Sequence, residues 1–402
     1  MALTVLIAPD SFKESLSALA VCEAISAGIQ RADPDVTCLS LPLADGGEGT
    51  VDALLAAHAD SAQRYQSWVQ GPINNNDGNV NSVCASWGAF SSSDNGVVDT
   101  AVIETAAASG LALVAAQQRD ALAASSYGTG QLLREALKLP QLKHIVLGLG
   151  GSASSDGGAG LLQALGAVLY DNDEQPLEQA IGGGALARCA RIDWQGIYDD
   201  PISSRIFSVD VELLCDVSNP LLGEQGSVAV FAPQKGANSQ QQAQLEAALT
   251  RYNQALAQAC GRNVCDIPGA GAAGGIAAAL LALCQARISG GIDRVLAQLN
   301  FDRLLQQADL VITGEGRIDS QSLQGKVPIG VAQRAQQAGK PVIALVGAYQ
   351  GELSAFYEQG ISAVFSVVDG PAELSQALRS GAVNVSRCAE NLMRSLRLAL
   401  PH

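Results

Sequence analysis

Nowhere along its 402 residues does the chain carry a block of basic residues, and its charge is sparse and one-sided: Lys+Arg 24 against Asp+Glu 39, a net −15, with only 16% of residues charged. A surface that tracks nucleic-acid phosphates is therefore not expected, and an anionic ligand must be held by a few local cations and backbone N–H groups. The nine cysteines form neither a C-x-x-C pair nor a Cys/His cluster, so neither a zinc site nor a disulfide framework is signalled; they read as small buried residues of a reducing compartment. Histidine is almost missing as well. His402 is terminal, His58 lies in a helical pattern and His144 precedes its strand, so a catalytic base should be a carboxylate. The first residues, MALTVLIAPD, lack the basic start of a signal peptide, and the one long uncharged stretch, 267–286, is broken by Pro268 and glycines. A cytoplasmic protein that neither spans nor binds a membrane is expected. No Gly-x-x-x-x-Gly-Lys-[Ser/Thr] occurs, since Gly325-Lys326 runs into Val327, which excludes ordinary P-loop chemistry.

What is present is glycine, 42 residues of it, and 48% hydrophobic residues, in a chain long enough for two or three domains. An apolar β-rich run at 3–8, a helical pattern at 18–29 and a second strand at 36–43 make a βαβ opening, with a further helix after Gly46 and Gly47. Two strands are too few for an open sheet. Apolar runs at 310–313, 341–346 and 363–368, spaced by helix-length segments, supply the rest. The predicted fold is α/β: residues 1–60 and 295–402 form a doubly wound, Rossmann/flavodoxin-like parallel-sheet domain, and 61–294 an inserted mixed α/β domain, with the active site in the cleft between them. The insertion is entered through the polar stretch 71–81. It should hold antiparallel strands at 80–87 and 96–104, buried strands at 143–147 and 211–215, a helix at 161–169 and an exposed amphipathic helix at 239–259.

Ligands of open parallel sheets bind beyond the carboxyl ends of the strands. The loops expected there carry Asp10, Ser11 and Lys13; then Asp45, Gly46, Gly47 and Glu48; then Glu315, Arg317 and Asp319, followed by Lys326. Helix capping accounts for one polar residue per loop, but not for Asp45 with Glu48, or Glu315 with Asp319, in glycine-flanked turns. Neighbouring ionised carboxylates repel unless a cation sits among them, and hard carboxylate oxygens suit Mg²⁺. The inserted domain adds Gly148-Leu149-Gly150-Gly151-Ser152-Ala153-Ser154-Ser155-Asp156-Gly157-Gly158, placed before a helix whose free N–H groups would take a phosphate. Its first part also fits the weak dinucleotide pattern, and close glycine packing is the structural alternative. Asp216 and Asn219 follow a predicted strand, where a turn role competes with metal or substrate binding, and Gly271 opens an alanine-rich helix.

The segments APDSFKESLSA, PLADGGEGT, IETAAASGL, SYGTGQLL, GLGGSASSDGGAG, CDVSNPLLG, FAPQKGA, PGAGAAGG, ITGEGRIDSQSLQGK and PVIALVG, in this order, resemble the type 1 glycerate kinases over nearly the whole chain. The resemblance implies phosphorylation of D-glycerate to 2-phosphoglycerate by ATP and Mg²⁺, on a two-domain α/β fold. On that footing Asp45 or Asp216 would orient and deprotonate the hydroxyl, and Lys13 and Lys326 would face the transferring phosphate. Glu315 and Asp319, with Asp10, would serve the metal. Asp10, Ser11, Gly46, Gly47, Glu48, Gly150, Gly151, Ser152, Asp156, Gly157, Asn219, Gly271 and Arg317 would line substrate and phosphate. Two positions depart from the family pattern: Glu14 replaces a usual glycine, and Ser154-Ser155 a usual Thr-Asn. A nicotinamide-dependent oxidoreductase of small hydroxy acids and a two-domain solute-binding protein are the rival classes.

Overall fold

The computed structural model describes residues 3–74, 80–93, 96–319 and 322–399; residues 75–79 of the polar stretch and His402 lie outside these. The chain divides into two compact units. One comprises Met1–Asp45, Asp52–Ala57 and Gly290–His402, the other Gly46–Val51 and His58–Ser289.

The first unit is built on a five-stranded sheet in the order Ala363–Ser366, Val342–Tyr349, Leu310–Ile318, Thr4–Ile7, Thr37–Ser40, every pair parallel. Its central strands are apolar runs buried on both faces, as parallel strands covered by helices must be. The order reverses beside Thr4–Ile7: the chain first moves one way to Thr37–Ser40, and its C-terminal third then extends the sheet on the other side. Helix Ala18–Ala32 begins where Ser17 Oγ accepts the Ala20 N–H at 3.2 Å, and buries Val21, Cys22, Ile25, Gly28 and Ile29. It packs on helix Gly381–Ala399 so closely that a Cβ on Gly28 would stand 2.1 Å from the Ser386 carbonyl.

The second unit holds a six-stranded mixed sheet, Arg287–Ser289, Asp210–Leu214, His144–Gly148, Thr100–Glu104, Ser82–Phe90, Gln63–Gln70. The first four strands are parallel and the last two form an antiparallel hairpin. The strands on either side of the polar stretch, Gln63–Gln70 and Ser82–Phe90, both belong to this unit, so the chain enters it at His58, ahead of that stretch. The helix expected at 161–169 is Ala159–Leu165, stopped by left-handed Gly166, and the apolar residues after it form the strand Val168–Tyr170. The amphipathic helix is Ser239–Cys260. Asn238 and Gln241 close its start reciprocally, and Leu245, Leu249, Tyr252 and Leu256 bury one face. The uncharged stretch becomes a glycine loop and the buried helix Ile276–Cys284; no helix of the described residues is long and apolar enough to cross a membrane. All nine cysteines are free thiols.

One departure from the family pattern has a backbone consequence: Glu14 sits at φ +63°, the left-handed region that a glycine adopts without strain. Glu14→Gly should raise stability by about 1 kcal/mol, the relieved strain exceeding the added freedom of the unfolded chain. Urea midpoints measure this, and a lower midpoint for the variant would contradict it.

Candidate active site

In the first unit, the reversal of strand order leaves a crevice position at the carboxyl ends of Thr4–Ile7 and Leu310–Ile318. The ladder continues past the first strand: Ala8 N–H donates to the Ile312 carbonyl and Asp10 N–H to the Gly314 carbonyl, both at 2.8 Å. Asp10 is thereby fixed beside Glu315. Gly314 admits no side chain, because its Cβ would lie 2.0 Å from the Leu345 carbonyl oxygen. Both carboxylates are buried.

Burial, then the Asp45 and Glu315 carboxylates, hold the Asp10 pKa well above the usual carboxylate range, against the Ser11 N–H that donates to Asp10 Oδ1 at 2.6 Å and the charge of Lys13. Burial likewise raises Glu315, opposed by Lys326, whose Nζ lies 4.0 Å from Glu315 Oε2, and by the Ser322 hydroxyl that donates to Oε1. Asp45 is half-buried and Lys13 exposed. Asp10, Lys13, Asp45, Glu315 and Lys326 therefore act on one another as a single electrostatic group. Asp319 is turned toward Arg317, 3.6 Å from its Nε, and Arg317 also reaches Gln350. Among the described residues, no three His, Cys, Asp or Glu side chains are grouped so as to hold a metal by themselves. Mg²⁺ commonly takes one or two carboxylates and fills its remaining positions with water and phosphate, so the buried oxygens of Asp10 and Glu315 fit it in chemistry and number.

In the second unit, glycines meet glycines. Gly150 N–H donates to the Gly46 carbonyl at 3.0 Å, and a Cβ would fall 2.5 Å from Gly46 O on Gly148 and 2.6 Å from Gly47 Cα on Gly150. Beyond them Asp156 is wholly buried. Its Oδ2 accepts from Ser126 N–H and Ser126 Oγ at 2.7 Å and from Gly160 N–H at 3.2 Å, and its Oδ1 from Gly158 N–H at 3.1 Å. Burial raises its pKa and these donors oppose the rise. Lys235 is also buried, donating to Ser152 Oγ at 3.1 Å and to the Ser154 carbonyl; burial lowers its pKa to about 8, against the attraction of Asp156.

Residues 5–397 match the model of the glycerate kinase family. The chain belongs to the glycerate kinase family. It is 44% identical to the glycerate 2-kinase of Escherichia coli (strain K12) over 98% of either chain, and 43% identical to the glycerate kinase of Bacillus subtilis (strain 168) over 98% of either. Its fold is similar to the crystal structure of a Salmonella typhimurium LT2 protein, provisionally named glycerate kinase 2, with TM-score 0.80, 44% identity and 99% of each chain covered. Membership makes this protein a kinase, which sets aside the oxidoreductase and solute-binding alternatives.

Several expectations for this glycerate kinase family member need revision. Asp156 is no phosphate ligand: its two oxygens are spent on Ser126, Gly158 and Gly160, so the chain's own carboxylate supplies the anion at the start of helix Ala159–Leu165. The N–H groups expected to be free there are taken, Leu161 N–H by Ser126 Oγ at 2.9 Å and Gly157 N–H by the Gly274 carbonyl. Asn219 and Gly271 each have a local packing role. The Asn219 amide donates to the Gln225 carbonyl at 2.8 Å, and Gly271 approaches Pro220, whose carbonyl oxygen would lie 2.2 Å from a Cβ. Glu48 is exposed and Asp216 half-buried, past the strand Asp210–Leu214. Sequence reasoning assigned no role to Ser126, Lys235 or Ser322. Lys235 could have been noticed as the one charge in the otherwise uncharged segment 225–237.

Because the folded pKa of Asp10 is raised, its protonated form is favoured by folding. The stability it contributes is present in acid and is lost as pH rises through that raised value. Asp10→Asn, which stays neutral, should melt higher than the wild type at pH 7.5 in EDTA and lose that advantage at pH 4, while its kinase activity falls. Equal or lower melting at pH 7.5 would show that the Asp10 carboxylate is not held against its solvation.

Proposed function

We propose that this protein transfers the γ-phosphoryl group of ATP to the 2-hydroxyl of D-glycerate with the help of Mg²⁺, giving 2-phosphoglycerate. The observation that carries the reading is the gathering of Asp10, Asp45 and Glu315 with Lys13 and Lys326 at the carboxyl edge of the parallel sheet, in a chain whose relatives are named glycerate kinases. Phosphoryl transfer asks mainly for positioning and for neutralisation of charge.

Asp45 orients the acceptor hydroxyl and takes its proton. It is preferred to Asp216 because it interacts with the same Asp10 and Glu315 that Lys13 does, which places base and cation in one electrostatic group. Lys13, exposed, and Lys326, held near Glu315, supply positive charge for the transferring group. When bound, Mg²⁺ would neutralise phosphate charge from a position held by Asp10 and Glu315. Asp319, committed to Arg317, is left out of that set. Gly151 and Ser152 are the part of the glycine-rich segment assigned to anionic oxygen, since the Gly150 N–H is taken by the Gly46 carbonyl and the segment beyond by Asp156.

The test is a coupled ADP-release assay with ATP, Mg²⁺ and D-glycerate, followed by phosphorus NMR of the product. The expected result is glycerate-dependent ADP release, abolished by EDTA, with the resonance of the 2-phosphate. No ADP from folded protein would overturn the activity, and a 3-phosphate product the regiochemistry.

A further inference from the structure

We infer that Lys235 is a positioning residue of the Gly150–Gly151–Ser152 loop, using its ammonium to present the Ser152 hydroxyl as a hydrogen-bond donor to an anionic oxygen of substrate. The inference rests on the phosphoryl-transfer reading above.

A lysine with all of its charge buried needs a reason, since desolvation of an ammonium is costly unless partners compensate it. The nearby negative charge is Asp156, yet no ion pair within 4.0 Å joins them, and the Asp156 oxygens are taken up by Ser126, Gly158 and Gly160. Asp156 balances the buried charge from a distance. The direct partners of Lys235 are both in the glycine-serine loop, the Ser152 hydroxyl and the Ser154 carbonyl.

An ammonium has no lone pair, so at Ser152 the lysine donates and the hydroxyl oxygen accepts. The Ser152 proton must then point elsewhere, and among the described residues it has no acceptor. Hydroxyl groups polarised by a cation are stronger donors, and chains of such bonds reinforce one another. Ser152 is itself buried, at 7% exposure, but adjoins exposed Gly151, whereas Lys235 at 2% is sealed from solvent. The buried charge reaches a ligand through the hydroxyl. An anion is the matching partner: a carboxylate or phosphate oxygen of a substrate. Two further loop hydroxyls, Ser154 Oγ and Ser155 Oγ, are buried without a partner, so this segment holds more donor capacity than its own packing uses.

The experiment is a double-mutant cycle on the full-length enzyme, with Ser152→Ala, Lys235→Met and the double variant, reading kcat, the KM of each substrate and the melting temperature. Loss of a hydrogen bond to a charged group should lower kcat/KM about 10- to 100-fold in Ser152→Ala, together with a lower melting temperature, because the buried ammonium loses one of its two partners. Lys235→Met should add no more than about twofold once Ser152 is gone, because both act through one hydroxyl. Lys235→Leu takes its place in the cycle if Lys235→Met does not fold, and the same non-additivity is expected. Wild-type kinetics in Ser152→Ala would overturn the inference. So would independent, multiplying losses, or a Lys235 variant that melts lower but keeps kcat and both KM values. A wild type without glycerate-dependent ADP release would overturn the phosphoryl-transfer reading instead.

Discussion

The pairing of the first strand with one that begins about three hundred residues later is the constraint on which the proposed site depends. Val5, Leu6 and Ile7 lie in register with Leu310, Val311 and Ile312, and the ladder runs on until Asp10 N–H meets the Gly314 carbonyl. Each of those hydrogen bonds is ordinary. Their consequence is that two carboxylates from distant parts of the chain, Asp10 and Glu315, are buried side by side, with Asp45 close enough to act on both. Sheets tolerate such crowding poorly unless a cation or proton relieves it. The fold therefore carries a local instability that a cation can remove, which is how binding energy can be focused at one place.

The second unit treats buried charge differently. Asp156 has four hydrogen bonds from its own neighbourhood and needs no ligand; it ties Ser126 to the start of helix Ala159–Leu165 and fixes the loop ahead of that helix. Glycines are required on the approach because three backbone segments touch there, Gly46–Gly47, Gly148–Gly150 and the end of Asp210–Leu214; a Cβ on Gly46 would stand 2.7 Å from the Leu214 carbonyl. Gly151 and Ser152, the residues proposed to contact anionic oxygen, precede the locked part.

The sheet of the first unit was legible because its strands are short apolar runs bounded by turn residues, but only two of the three expected loops are loops: Glu315 and Arg317 lie within the strand Leu310–Ile318, which runs past its apolar stretch by pairing with Val342–Tyr349. The electrostatic group could be listed residue by residue, yet not divided. Asp319 looked equal to Glu315 in sequence, and only the fold turns one into the protein and the other toward Arg317. The reading of Asp156 as a phosphate ligand went wrong for a physical reason: a helix start attracts any anion, and sequence does not show whether the anion is the chain's own. The helix at 161–169 was overextended because apolar periodicity continues into Val168–Tyr170, while Gly166 ends the helix. Lys235 escaped notice since burial of a lone lysine is decided by tertiary packing.

The central claim is that Asp10 and Glu315, both raised above the usual carboxylate range by burial, form the proposed seat of a Mg²⁺–nucleotide, whose binding would favour their ionised forms. The direct measurement is calorimetric titration of Mg²⁺–ADP at mildly acid pH in two buffers of different ionisation enthalpy. The expected result is net proton release on binding, reduced in Asp10→Asn and absent when Mg²⁺ is chelated. Binding heats that do not depend on the buffer, or equal proton release from Asp10→Asn, would contradict the claim.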